Sequence, residues 1–234
     1  MKTISHHKIQ ELYKQFITVN YTDEYKNRYV DLPLYKNNKK WKWEGKDFPR
    51  VISLLEFETF IKKYDFNIKN LLIFNFDSDP ELEYLEGRVS NIDNINYEDD
   101  VINNDLHSLN LSNKNYDFVC LHQTLEHVYN PHQCLSNIKD HMKVGGYLYI
   151  NVPACNAPHS EPYHYFTGFT PMGLVAIAHQ LDFEILEVGQ WGNVEYHIKL
   201  WSRTPGWSDY TQLDNPGLNQ IENPIITWIL LRKK

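Results

Sequence analysis

The chain has 234 residues, of which 42% are hydrophobic and 23% charged, so its composition fits one sizeable α/β domain with an ordinary packed core. The formal net charge is −7, and no basic run is longer than those at residues 39–40 and 232–234. Because nucleic-acid-binding proteins usually present a basic face, we expect no nucleic-acid partner.

The three cysteines, Cys120, Cys134 and Cys155, are widely spaced and form no CxxC motif. We therefore expect neither a disulfide framework nor a structural zinc site. The N-terminal segment lacks the apolar core of a signal peptide, and the longest apolar run, residues 225–231, is too short to span a bilayer. These features predict a cytoplasmic protein without a membrane partner.

Residues 1–50 are predicted to form an extension of a domain that covers residues 51–234, the two making a single structural unit. The extension is polar and aromatic, and it could either cover a substrate or pack on the domain, which we favour. Apolar residues at helical spacing predict a first amphipathic helix, namely Ile9, Leu12, Tyr13 and Phe16.

Apolar runs bounded by polar or turn residues predict seven strands further along the chain. These strands lie at residues 70–76, 88–93, 101–106, 118–121, 147–152, 183–188 and 224–232. Helices are predicted at residues 51–64, 80–85, 131–144 and 170–178, the third capped by Asn130 and ended by Gly145 and Gly146. This alternation predicts a doubly wound, seven-stranded and mostly parallel sheet with helices on both faces and an antiparallel last strand.

Several motifs resemble those of class I S-adenosylmethionine (SAM)-dependent methyltransferases, especially the methyltransferase type 11 group. They are YDFV at 116–119, LEHV at 125–128, NP at 130–131, KVGGYL at 143–148 and VP at 152–153. The run HSEPYHYFTGFTPMGL at 159–174 resembles bacterial members that act in glycan or small-molecule pathways. The resemblance covers roughly residues 50–233 and implies SAM as cofactor, its demethylated form S-adenosylhomocysteine as product, and a small-molecule or sugar-containing acceptor.

The resemblance also implies which residues hold the cofactor. The acid that ends the second strand, here Asp93, would bind the ribose hydroxyls, since a carboxylate accepts two hydroxyl donors well. The acid after the third strand, here Asp105, would lie beside the adenine with its apolar neighbour Leu106. The residues after the fourth strand would flank the methionine part, namely Leu121, His122 and Gln123.

The first motif departs from the family pattern, a strand followed by GxGxG. Asn75, Asp77 and Asp79 stand where the three glycines are expected. Asn and Asp tolerate a left-handed backbone better than other side chains, so the turn itself can form. Two interpretations remain open. Either the site still binds SAM, with Asp77 or Asp79 pairing with the cationic amino group, or the protein has lost the cofactor and serves a binding or regulatory role.

A hydroxyl acceptor benefits from a general base, and histidine titrates near neutral pH. We predict His159, His164 and Glu161 as acceptor-side catalytic residues, because they follow the fifth predicted strand. His127, in the LEH motif, is interpreted as structural, bonding backbone at the turn before a helix. Two sets of side chains could supply metal ligands, His122 with His127 or His159 with Glu161 and His164. Neither has a recognised spacing, so no metal site is predicted.

The segment at residues 189–223 is long for a connection and rich in aromatic residues and glycine. Loops of this length in compact domains are often functional. Trp191, Trp201 and Trp207 could contact a substrate or the second chain of a homodimer. Packing against residues 1–50 is the simpler interpretation.

Overall fold

The computed structural model describes residues 5–16, 28–30, 43–74 and 80–234. Its α-helices are α1 (His6–Phe16), α2 (Phe48–Tyr64), α3 (Glu81–Tyr84), α4 (Val101–Asn104), α5 (Pro131–His141), α6 (Pro171–Gln180) and α7 (Val194–Ser202). Its strands are β1 (Ile68–Ile73), β2 (Val89–Asn94), β3 (Tyr116–His122), β4 (Met142–Pro153), β5 (Phe183–Trp191) and β6 (Ile226–Lys233). Short 3-10 turns lie at Tyr97–Asp99, Leu125–His127 and Tyr210–Gln212.

The six described strands form one sheet in the order β2-β1-β3-β4-β6-β5. Strands β2, β1, β3 and β4 pair in parallel, whereas β6 is antiparallel to both of its neighbours, β4 and β5. The predicted doubly wound, mostly parallel sheet with an antiparallel last strand is confirmed. All four parallel strands end at the same edge of the sheet, and the loops that follow them therefore meet there.

The predicted third strand is wrong, because Val101–Asn104 forms the helix α4. The Asp100 side chain accepts a hydrogen bond from the backbone N–H of Asn103, which caps this short helix. The apolar pair Val101 and Ile102, which suggested a buried strand, is exposed instead. The part of the chain that the structure describes thus contains six strands where seven were predicted.

Two hydrophobic clusters cover the two faces of the sheet. Successive residues of β3 belong in turn to one cluster and to the other. Val119 and Leu121 belong to the first cluster, with residues of α5 and α6. Phe118 and Cys120 belong to the second cluster, with residues of α2 and α7. Every residue of β3 is buried, as expected for a central strand of a parallel sheet.

The helix α5 starts as predicted, with the Asn130 side chain accepting from the backbone N–H of Gln133. It ends earlier than predicted, because the two glycines lie inside β4. Gly145 has φ +78°, and a Cβ on Gly146 would come within 2.9 Å of the Tyr116 carbonyl oxygen. The glycines therefore permit an irregular, closely packed start of β4 rather than a helix end.

The extension and the aromatic tail both contribute packed helices. Helix α1 contacts α6 and β5, with Leu12 and Tyr13 packed against the first cluster. Helix α7 lies inside the segment that was predicted to be a long connection, and its Tyr196 and Leu200 are buried. Among the described residues, no helix combines the length and the apolar composition that a bilayer crossing requires.

Asp47, which precedes α2, links that helix to α7 because its carboxyl accepts a hydrogen bond from the Tyr196 hydroxyl. Burial raises the pKa of Asp47 from 3.8 to about 7, although Tyr196 and Arg50 act in the opposite direction. The folded state therefore holds this proton more tightly than the unfolded state. The contribution to stability is full below pH 4 and is lost as the pH rises through 7.

We expect Asp47→Asn to flatten the pH dependence of stability between pH 5 and 8, because the amide keeps an acceptor for Tyr196 and carries no titrating proton. At pH 8 the variant should melt about 2–4 °C above the wild type, the shift that corresponds to roughly 1 kcal/mol in a domain of this size. Thermal melts by circular dichroism across this pH range test the expectation. Parallel profiles for the two proteins would contradict it.

Candidate functional site

A cavity of about 620 Å³ opens beyond the carboxyl ends of the four parallel strands. Ligands of open α/β sheets bind at this edge, and small-molecule pockets commonly occupy roughly 300–1,000 Å³. Each parallel strand is followed by a segment that lines the cavity. The lining residues are Phe74, Ile95, Asn96, Tyr97, Glu98, Asn104, Asp105, Leu106, His107, Gln123, Thr124, His127, Val128, Tyr129, Ser160, Tyr163 and Tyr165.

A flat aromatic wall forms one side of the cavity. The rings of His107 and Tyr129 stack with centroids 3.7 Å apart and an interplanar angle of 11°. His107 Nε2 accepts from the Asn130 backbone N–H at 3.3 Å, so Nδ1 carries the proton that it donates to Asp105 Oδ1 at 2.8 Å. These bonds fix the His107 ring and its tautomer.

The structure places some predicted cofactor residues on the cavity and others away from it. Asp105, Leu106 and Gln123 line the cavity. Asp93 does not, because its carboxylate accepts a hydrogen bond from the Tyr116 hydroxyl at 2.6 Å. Of the described residues, Glu98 and Asp105 supply the two carboxylates that line the cavity, and Glu98 was missed in the sequence.

Leu121 and His122, also predicted to flank the cofactor, are fully buried in the sheet and do not line the cavity. The backbone passes from β3 into the cavity wall at Gln123, which has φ +44°. The predicted positions Asn75, Asp77 and Asp79 lie outside the described residues.

A buried polar network lies behind the cavity and was not predicted. Glu81 is fully buried and pairs with the Arg50 guanidinium through both carboxylate oxygens. Asn151 Nδ2 donates to Glu81 Oε1 at 3.1 Å, and Asn151 Oδ1 accepts from Gln123 Nε2 at 2.7 Å. His122 Nε2 lies 3.6 Å from Glu81 Oε1. The network connects Gln123, in the cavity wall, to helix α2.

Three histidines converge at one end of the cavity, from the loops that follow β3 and β4. The ring centroid of His159 lies 5.0 Å from that of His127 and 4.7 Å from that of His164, and the His127–His164 distance is 5.8 Å. The predicted acceptor-side pair, His159 and His164, is thus brought together, whereas Glu161 is exposed. Burial lowers the pKa of His127 and of His164, which favours the neutral form of both rings.

Backbone carbonyls orient two of these rings. His127 Nδ1 lies 2.8 Å from the Tyr163 carbonyl oxygen, and His159 Nδ1 lies 3.0 Å from that of Ala157. His127 therefore bonds backbone as predicted, although its partner lies in the loop after β4. Next to it, Glu126 is fully buried, and burial raises the pKa of its carboxyl to about 8.

The tryptophans of the tail occupy different environments. Trp191 is fully buried at the end of β5 and makes an edge contact with Phe48. Trp201 and Trp207 are partly exposed, with 49% and 43% of their surface accessible. Trp207 lies edge-on to His159 with a centroid distance of 6.1 Å, so it borders the histidine cluster.

The comparisons with known proteins agree with this architecture. The sequence model of the methyltransferase domain family matches residues 64–204, which is more than half of the chain. No curated protein sequence shows a significant match.

Solved structures share the fold at low sequence identity. A candidate methyltransferase from Bacillus halodurans is 11% identical with a TM-score of 0.52, covering 78% of this chain and 99% of its own. The N-methyltransferase NodS of Bradyrhizobium japonicum, in complex with S-adenosylhomocysteine, is 12% identical with a TM-score of 0.51, covering 89% of this chain and 98% of its own. Phosphoethanolamine N-methyltransferase 2 of Haemonchus contortus, in complex with SAM, is 12% identical with a TM-score of 0.50, covering 88% of this chain and 59% of its own. The chain therefore belongs to the methyltransferase domain family and has the class I methyltransferase fold.

Proposed function

We propose that the protein is a SAM-dependent methyltransferase that acts on a small-molecule or sugar-containing acceptor. The observation that carries this proposal is the cavity beyond β1–β4, lined by the segments that follow each of these strands. The family and the fold support it. SAM, when bound, supplies a methyl group on a positively charged sulfur.

The described lining residues fit the cofactor's chemistry. Leu106 and the stacked His107–Tyr129 wall provide apolar and aromatic surface for an adenine ring, with Asp105 beside it. Glu98 is the carboxylate available for the ribose hydroxyls, because Asp93 is bonded to Tyr116 and lies off the cavity. The acidic lining also suits the cofactor's positive charge.

In this proposal the acceptor binds at the histidine end of the cavity. Ser160, Tyr163 and Tyr165 line this end, and the partly exposed Trp207 borders the histidine cluster. Aromatic rings and hydroxyls suit a small polar or sugar-containing molecule. His159 and His164, with Glu161 in the same loop, remain the proposed acceptor-side residues. Positioning the acceptor in line with the donated methyl group is the main contribution that we assign to this wall.

Titration calorimetry with SAM and S-adenosylhomocysteine tests the proposal. We expect each to bind with one site per chain and to raise the melting temperature. Absence of heat and of any thermal shift at millimolar ligand would overturn the proposal and favour the alternative, a methyltransferase-like protein with a binding or regulatory role.

The assignment of the ribose contact has its own test. Glu98→Gln should weaken SAM binding about 10-fold, since a hydrogen bond to a charged group contributes roughly 1.5 kcal/mol or more. Asp93→Asn is the matched control, and we expect it to leave the affinity unchanged. If instead Asp93→Asn weakens SAM binding and Glu98→Gln leaves it unchanged, the ribose contact belongs to Asp93, near the end of β2.

A further inference from the structure

The histidine cluster has the geometry of a metal-binding site. His127, His159 and His164 each offer a ring nitrogen, and these three atoms all lie within 4.8 Å of one another. The residues come from two loops and are 32 and 5 positions apart in the chain. His127 comes from one of the two sets of potential ligands noted in the sequence, and His159 and His164 come from the other. No local spacing in the sequence could therefore indicate the cluster.

Two of the rings make the hydrogen bond to a backbone carbonyl that metal-binding imidazoles commonly make. A carbonyl oxygen only accepts hydrogen bonds, so the contacts to Tyr163 and Ala157 place the protons of His127 and His159 on Nδ1. This tautomer leaves a lone pair on Nε2 of both rings. Histidine ligands usually donate their other ring N–H to a carbonyl or carboxylate, which fixes their orientation in the same way.

Unpaired buried groups mark the same place. Both ring nitrogens of His164 and both carboxylate oxygens of Glu126 are buried and have no hydrogen-bond partner among the described residues. Leaving such groups unpaired in a protein interior is costly. Glu126 Oε1 lies 3.7 Å from His127 Nε2. A cation held by the three rings would give His164 a partner and would place a positive charge close to the Glu126 carboxyl group.

We propose that His127, His159 and His164 bind one divalent transition-metal cation of the Zn²⁺ class. Imidazole favours Zn²⁺, Cu²⁺, Fe²⁺ and Ni²⁺, whereas Mg²⁺ and Ca²⁺ favour oxygen ligands. Three protein ligands with a further position open is the pattern of catalytic zinc. His127 also lines the cavity. The open position would take water or an oxygen atom of the acceptor, and this last assignment rests on the proposed function.

The test uses the full chain, purified without a histidine tag and stripped with a chelator. Zn²⁺ is titrated by calorimetry, and Co²⁺ is added as a spectroscopic probe of coordination. We expect one Zn²⁺ per chain, a higher melting temperature with Zn²⁺, and the visible spectrum of tetrahedral Co²⁺. His164→Ala should weaken Zn²⁺ binding at least about 100-fold, the upper range for loss of a group that merely supports a ligand.

Two exposed adjacent histidines, His6 and His7, lie at the start of α1 and could bind Zn²⁺ nonspecifically. A variant with both replaced by alanine is therefore the matched control, and it should bind Zn²⁺ like the wild type. His159→Ala serves as a second cluster variant if His164→Ala fails to fold. Absence of stoichiometric Zn²⁺ binding, or binding that survives loss of a cluster histidine, would overturn the proposal.

SAM affinity, measured on the same metal-free samples, separates this inference from the proposed function. SAM binding without Zn²⁺ binding would overturn the zinc site and leave the methyltransferase proposal supported. Zn²⁺ binding without SAM binding would support the zinc site and overturn the methyltransferase proposal, because the three histidines would then serve a different chemistry.

Discussion

Replacing Glu81 with alanine is expected to lower the free energy of unfolding by about 3–5 kcal/mol, the range found when one partner of a buried ion pair is removed. Glu81 is fully buried, and the Arg50 side chain that it pairs with is only 16% exposed. The substitution would leave this guanidinium without its carboxylate and would remove the acceptor of Asn151 Nδ2. Urea unfolding followed by circular dichroism measures the loss.

Glu58→Ala is the control, because Glu58 forms an exposed ion pair with Lys62 on the same helix as Arg50. Exposed pairs contribute about 0–1 kcal/mol. Removing both members of the buried pair, with Arg50→Leu and Glu81→Leu together, should recover part of the loss, since no unpaired charge then remains. Equal losses of unfolding free energy for Glu81→Ala and Glu58→Ala would show that the buried pair contributes no more to stability than the exposed pair does.

Filling the cavity should have the largest effect on cofactor binding. We expect Thr124→Trp to weaken SAM binding at least about 100-fold, because the indole would occupy space that the lining segments leave open. Thr124 lines the cavity at the end of β3 and donates its hydroxyl to the His122 carbonyl at 2.6 Å. Calorimetry measures the affinity, and a melting curve shows whether the variant is folded.

Thr124→Ser is the matched variant, since it keeps the hydroxyl donor and leaves the cavity open. It should bind SAM like the wild type. If Thr124→Trp is folded and binds SAM with unchanged affinity, the cofactor does not occupy this cavity.

The sequence predicted the sheet well because its signal is local. The apolar runs around β1, β3, β4 and β6 are continuous, and such runs indicate strands buried on both faces. Helix α5 could be predicted equally well, from its Asn130 cap and from Pro131 in its first turn. The errors arose where a local pattern was weak. Helix α7, with its buried residues Tyr196 and Leu200, was not predicted, because the glycines and aromatic residues of its segment suggest a loop.

The candidate site was harder to predict, because it depends on which loops meet. The approach of His127 to His159 and His164 joins the loop after β3 to the loop after β4, and neither loop carries a metal motif of its own. The placement of Asp93 depends on strand pairing. It lies beside Leu72 in the sheet, one position before β2 ends, and this lets its carboxylate reach Tyr116. The glycine-less positions, residues 75–79, lie outside the described residues.

Strand β2 is the outer strand at one edge of the described sheet. Among the described residues no strand pairs with the outer side of β2, and such an edge can pair with an extended segment of another molecule, which is a route to aggregation. The sequence of β2, VSNIDN, is mostly polar, and its side chains are largely exposed. A short, polar outer strand is a poor template for such pairing, so the composition of β2 limits self-association at this edge.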